Sequence, residues 1–438
     1  MGKLSHLKVF LSQSVSEYLS NIEYCIAEIA VRLGTRIELS QDRAKGPFHF
    51  SYGEPLPDAK TVHIPFDPRC FHPSSVFKGL GNPVLWTHQD VQDETEIDLI
   101  GGAFRLLAFL DESQVAEDER DRLGVFHTDA LPESRRVLRA EPIMENHVRK
   151  LSAILDAPEM HDNIMAKWPN GKKWALLVTH DTDAVHLGAG AEIAFNLAKA
   201  IIRRQSLRFK MIKDGFRAMR NPIAENPLYG FTRWQEIERA KSIRSAFYLF
   251  LRQHVSFDLN DCRSSVGDRR FKWKELRTMA NDGWEFGLHP PILAKGNLDE
   301  FLSGKRYIEE NIECPIFGLR HHYWALDGRK PHLTYRKHVN AGFRYDLSIA
   351  WQDAPGFRAG TCFPFRPWDP SRSRGLDIYA IPTSILDGHV IPSQDGSEFD
   401  LEQSSIAAKE ILDKVRKHEG VANLDWHTEA ACNHYLYK

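Results

Sequence analysis

Residues able to do hydrolytic chemistry crowd one short stretch. Positions 174 to 183 read Trp-Ala-Leu-Leu-Val-Thr-His-Asp-Thr-Asp. The apolar run follows the turn-like Pro169-Asn170-Gly171, which predicts a strand buried on both faces and ending in His180, Asp181 and Asp183. A lone Asp after a strand more often caps the next helix, but three titratable groups this close together favour a site. Later apolar runs end in the same way. Trp284–Leu288 runs into His289-Pro290-Pro291, and Ile316–Leu319 into Arg320-His321-His322-Tyr323. Gly342–Tyr345 runs into Asp346, and Val421–Trp426 into His427. Carboxylates and imidazoles meeting on one rim suit a borderline-soft divalent metal with an open position for water or substrate. An arginine beside a carboxylate keeps it ionised and oriented as a general base, and a further histidine can protonate a leaving group.

A shared rim requires parallel strands, and the pattern from Phe231 onward supplies them. Helical stretches at Phe231–Lys241, Trp273–Asn281, Leu298–Asn311, Pro331–Ala341 and Ser404–Lys417 alternate with short apolar runs. Strand-like pieces are also expected at Ser245–Leu251, Gly356–Cys362 and Asp377–Ile381. Helix and strand in alternation predict parallel strands joined by right-handed crossovers. The count, about seven or eight, favours a barrel over an open sheet.

The chain has 438 residues, room for roughly two or three domains. Residues 1–165 are expected to form a smaller α/β domain, and residues 170–438 the barrel. In the first part a helix is expected over Leu7–Leu33, closed by Gly34. Strands are expected at Arg36–Leu39, Phe48–Tyr52 and Thr61–Phe66, helices near Asp98–Leu110 and Pro142–Leu155, and loop over Asp67–Gln92. An insertion at about 184–230 interrupts the barrel. Its helix, about 192–219, carries Arg203, Arg204, Arg208, Lys210, Lys213 and Arg217. Such a helix can make weak contact with an anionic membrane surface, although charge spread around it reads first as a solvated face.

Composition is that of a soluble globular protein, with 42% hydrophobic and 26% charged residues. A formal net charge of -2 gives no reason to expect a nucleic-acid partner. The six cysteines are scattered and form no Cys-x-x-Cys pair, so they read as free thiols in a reducing, cytoplasmic compartment. The N-terminal segment is amphipathic and lacks an apolar signal core, and no run of about twenty apolar residues predicts a membrane span.

These motifs, in this order, resemble the polysaccharide deacetylase (NodB-homology) family over about Lys173 to the C-terminus. Thr179-His180-Asp181-Thr182-Asp183 is similar to the family's Thr-Phe-Asp-Asp-Gly, Gly287-Leu288-His289 to its second motif, Arg320-His321-His322-Tyr323 to Arg-x-Pro-Tyr, and Leu424-Asp425-Trp426-His427 to its fifth. The stretch Gly356–Phe365 resembles a divergent branch with an extra N-terminal domain. The resemblance implies a distorted (β/α)7 barrel and a metal-dependent hydrolase that removes an acyl group, acetyl above all, from a carbohydrate. It implies Asp181 as base, Arg320 as the group that holds it, and His427 as general acid. Two departures stand out. Thr182 occupies the place of the family's metal Asp, and Leu293 that of the second histidine of His-x-x-x-His. Asp183 and His322 are the proposed replacements, giving a divalent site, zinc by preference, of Asp183, His289 and His322. The rival assignment puts Asp181 on the metal, with His180 and His321 as spare ligands. Tyr323, Trp426 and His321 are candidate substrate contacts. The alternative is a catalytically inactive barrel acting as a binding or assembly partner in polysaccharide production.

Overall fold

The computed structural model describes residues 6–58, 60–121, 124–155, 166–183, 185, 229–251, 271–390 and 401–432. The basic helix expected at 192–219 lies outside the described residues.

The N-terminal part is a small α/β unit. Strands β1 (His6–Leu11), β2 (Arg36–Ser40), β3 (Phe50–Tyr52) and β4 (Val62–Ile64) form a parallel sheet in the order β2-β1-β3-β4. Helices Leu19–Leu33, Leu99–Leu107 and Ile143–Leu155 pack on one another and on this sheet. Asp98 caps the second, accepting from the amides of Ile100 and Gly101. Two expectations are corrected here. The helix predicted over Leu7–Leu33 begins only at Leu19, and its first five residues, Leu7–Leu11, belong to strand β1. Leu7, Val9 and Leu11 share one buried face at a period of two, while Phe10 packs on Phe48 from the other. The predicted loop at Asp67–Gln92 contains an antiparallel hairpin, β5 (Phe77–Leu80) and β6 (Leu85–His88).

Among the described residues the second part holds eight parallel strands. They are β7 (Ala175–Asp181), β8 (Ala246–Phe250), β9 (Glu285–His289), β10 (Gly318–Leu319), β11 (Tyr345–Asp346), β14 (Tyr379–Ala380), β15 (Ile385–Leu386) and β16 (Val421–Asp425). A separate antiparallel pair, β12 (Trp368–Asp369) and β13 (Arg374–Gly375), intervenes. The sheet order is β14-β11-β10-β9-β8-β7-β16-β15, with every ladder parallel. The sheet curls into a distorted, partly closed barrel. Its two edge strands are consecutive in sequence, and residues 381–384 cross between them. Ile381 donates to Asp346 O on one side, and Ser384 to Asn423 O on the other. The strand expected at Gly356–Cys362 is absent; this stretch is irregular and lies against the N-terminal part, where Gly356 (φ 152°) meets the Arg139 carbonyl. Inside the barrel the Tyr248 and Tyr345 rings fill the space above Gly287 and Gly318, where any Cβ would collide with them. Among the described residues no helix is long and apolar enough to cross a membrane.

The two parts are joined by buried charge. Arg32 pairs with Glu145 (3.1 Å) and Glu28 (2.9 Å), and donates to Thr361 Oγ1 across the interface. Glu145 accepts from Thr361 and from the Cys362 amide. Removing Glu145 leaves the buried Arg32 with Glu28 alone and strips the Cys362 amide of its acceptor in a dry environment. Glu145→Leu is therefore expected to destabilise the whole chain by about 3–5 kcal/mol, read as a lowered denaturant midpoint in equilibrium unfolding. An unchanged midpoint would show that the interface is not stabilised this way.

Candidate metal centre and its flanking acid and base

Each functional side chain leaves the C-terminal end of a barrel strand. Thr179 and Asp181 point inward from β7, so the alternate residue His180 points outward. Thr182 then fastens β7 to β8: its Oγ1 donates to Tyr248 O (3.0 Å) and accepts from the Phe250 amide (3.0 Å). That use explains a threonine where a ligand was expected, and it leaves Asp183 free to turn back over the barrel mouth.

Asp183, His289 and His322 converge there, with one ligand-capable atom from each lying within 4.8 Å of the others. His289, at the end of β9, is 1% exposed, and its Nδ1 donates to Arg320 O at 2.6 Å. A carbonyl only accepts, so Nδ1 carries the proton and Nε2 presents a lone pair. That Nε2 sits 3.0 Å from Asp183 Oδ1. Both atoms are buried and neither makes a hydrogen bond. In the neutral ring two lone pairs face each other here, and a divalent ion between them would satisfy both, so the donor set fits such an ion. His322 Nε2 completes the set, 3.1 Å from Asp183 Oδ2. The Phe250 ring stands edge-on to both imidazoles, at 5.8 and 5.1 Å, and forms the apolar wall of the site.

His322 reaches this place through an unusual turn. Tyr323 and Trp324 both adopt left-handed backbone conformations (φ 54° and 49°), which are costly for large side chains. The turn is held by the His322 amide on Pro290 O and the Trp324 amide on His321 O. Tyr323 packs on a small cluster of Val125, Ile292 and Ala325, so the N-terminal part buttresses the site.

Two charged pairs flank the cluster. Arg320, fully buried, donates from Nη1 to Asp181 Oδ1 (3.0 Å) and from Nη2 to Thr179 Oγ1 (2.6 Å). Its Nη1 also lies 2.6 Å from Asp425 Oδ1. Burial alone would lower the guanidinium's pKa, but the two carboxylates more than offset this and hold it above its ordinary value. For Asp425, burial wins over Arg320, the Asp181 charge adds to it, and the carboxyl is pushed well above the usual range. On the other side His427 Nδ1 faces both oxygens of Asp387 at 3.0 Å, and its Nε2 lies 3.4 Å from Asp183 Oδ2. Burial lowers the imidazole's pKa, yet Asp387 and Asp183 outweigh burial and raise it well above its ordinary value. Burial raises the Asp183 carboxyl, but the charges on His322 and His427 and the close imidazoles hold it well below the carboxylate range. Asp181, Asp183, His289, His322, Tyr323, Trp324 and His427 line one open cavity of about 210 Å³.

Three expected residues lie elsewhere. His321 is fully buried, its Nε2 2.9 Å from His338 Nε2 and its ring against Phe301, so it is neither a spare ligand nor a substrate contact. The backbone alternates here, so His321 turns outward to the helix Pro331–Asn340 while Arg320 and His322 face the mouth. The Trp426 ring packs with the cluster around Phe357 and Ile385, outside the cavity, and Trp324 lines the cavity instead. His180 is also no ligand: both its ring nitrogens are engaged, by Trp426 O and Glu238 Oε1. Asp387 and Asp425 were not foreseen. Asp387 follows a strand of only two residues, too short to read as periodicity, and Asp425 lies inside a run that looked apolar.

No family model matches the chain, and no curated protein sequence does. Among solved structures, a Mycobacterium smegmatis protein provisionally described as a polysaccharide deacetylase superposes with a TM-score of 0.37 at 19% identity, covering 60% of this chain and 79% of that one. At that similarity nothing about activity carries over.

The geometry makes the ligand set testable. Wild-type protein is expected to take up one equivalent of zinc, cobalt or nickel, measured by mass spectrometry after dialysis. His289→Ala and His322→Ala are each expected to lose it, and His321→Ala to keep it. Retention by His322→Ala alone would remove His322 from the set.

Proposed function

We propose that the protein is a metal-dependent hydrolase that removes an acyl group, acetyl above all, from a carbohydrate. The observation that carries this reading is the facing pair of unpartnered buried atoms, Asp183 Oδ1 and His289 Nε2, in a cavity shared with Asp181 and His427. The sequence motifs that resemble the polysaccharide deacetylase family supply the reaction type. Asp183, His289 and His322 would hold the ion, and one carboxylate with two imidazoles suits zinc with an open position. Once bound, the ion would polarise the acyl carbonyl and acidify water.

The chain's own residues account for the remaining steps. Asp181, fixed by its hydrogen bond from Arg320, takes a proton from the water that attacks the acyl carbon. His427, oriented by Asp387, gives a proton to the departing nitrogen or oxygen as the C–N or C–O bond breaks. The products are a carboxylic acid and a free amine or hydroxyl. Tyr323 and Trp324, on the cavity wall, are the aromatic surfaces against which a sugar ring would lie.

Release of acetate from acetylated saccharides by the metal-loaded protein tests this reading. Asp181→Asn and His427→Gln are each expected to lower kcat by about 10²–10⁴-fold with metal content unchanged. A metal-loaded protein that releases no acyl group, or variants as active as wild type, would refute the proposal. Failure to bind any of the three metals would favour the non-catalytic barrel.

A further inference from the structure

His180 occupies the second position of the Thr-His-Asp-Thr-Asp stretch but points away from the cavity. It is fully buried between the rings of Trp234 (4.3 Å) and Phe247 (4.7 Å). Its Nε2 lies 2.8 Å from Glu238 Oε1 and its Nδ1 2.9 Å from the carbonyl oxygen of Trp426. Glu238 is 2% exposed and receives two more donors on Oε2, Ser245 Oγ (2.9 Å) and Trp284 Nε1 (2.5 Å). Three donors converging on one carboxyl favour the carboxylate, which only accepts. The Trp426 carbonyl only accepts too, so both ring nitrogens donate.

The carbonyl that His180 grips belongs to the peptide leading into His427. The other end of that peptide, the His427 amide, donates to Asp387 Oδ2 at 2.9 Å. Two residues further on, Thr428 O accepts from Trp234 Nε1 at 3.1 Å. The backbone around His427 is therefore clamped from two sides. Asp387 holds it from within the site, and the helix Phe231–Ala240, outside the barrel, holds it through His180 and Trp234.

We infer that His180, oriented by Glu238, is a positioning residue for His427: it fixes the Trp426–His427 peptide so that the imidazole stays between Asp387 and Asp183. The inference rests on the reading of His427 as the general acid, but its geometric part can be tested without activity. His180→Phe keeps the ring stacking and loses both hydrogen bonds. His180→Asn can still donate to the Trp426 carbonyl but cannot reach Glu238. Both are made in a Glu238→Gln background, so that no buried carboxylate is left unpaired in either.

Crystal structures of the two double variants give the first readout. The His427 ring is expected to stay within 3.0 Å of Asp387, as here, in H180N/E238Q and to move off it in H180F/E238Q. If the ring keeps its place in both, the inference is overturned, whatever the protein catalyses. Kinetics on an acetylated saccharide give the second. H180F/E238Q is expected to lose at least tenfold in kcat with KM and metal content unchanged, and H180N/E238Q to recover most of it. Equal kcat in the two would overturn the positioning role. A ring that moves as expected in a protein with no acyl-hydrolase activity would leave the clamp standing and remove the general-acid reading. If H180F/E238Q does not fold while H180N/E238Q does, the Trp426 bond is structural, and the positioning role is overturned.

Discussion

A single guanidinium at the mouth of the barrel governs the arrangement around it. Arg320 is wholly buried, and a buried cation is tolerated only where charge and hydrogen bonds answer it. Asp181 and Asp425 supply the carboxyls, Thr179 and Thr383 the hydroxyls, and the Tyr248 ring lies beneath at 5.1 Å. These partners come from β7, β16, β8 and the crossing segment 381–384, so neutralising one arginine aligns most of the barrel's rim. The same residue's carbonyl sets the tautomer of His289. The placing of Asp181 and the orientation of the candidate ligand His289 thus share one origin.

The sequence revealed the scaffold where periodicity was long. The helices Trp273–Asn281 and Leu298–Ile312 and the strands β7, β8, β9 and β16 fall within a residue or two of expectation, because each carries enough turns or alternations to be seen. It misled where two periods coincide. Leu7, Phe10, Leu11 and Val15 fit a helix, yet Leu7, Val9 and Leu11 are a buried strand face, and pairing with β2 and β3 decided between them. Strands of two residues, β10, β11, β14 and β15, have no period at all. They were located, where they were, by the charged residues just beyond them.

The site was legible by type and only partly by partner. Asp181, Asp183, His289, Arg320, His322 and His427 do meet at one mouth, as the strand ends implied. Which of two adjacent histidines would face it was not written in the sequence. That depends on the turn through Tyr323, whose left-handed backbone no local propensity favours. Asp387 and Glu238 escaped notice for the same reason. Each is an ordinary carboxylate in its own segment and acquires a role only through a histidine 40 or 58 residues away in sequence.

The seam of the barrel has a consequence of its own. A hydrogen-bonded ladder resists opening along its whole length, but residues 381–384 span the gap as a single covalent thread. Asp387 follows directly on the far side, at the head of a short helix. Asp387, which faces the candidate acid, therefore stands beside the seam, while the candidate metal ligands follow β7, β9 and β10, each paired on both sides.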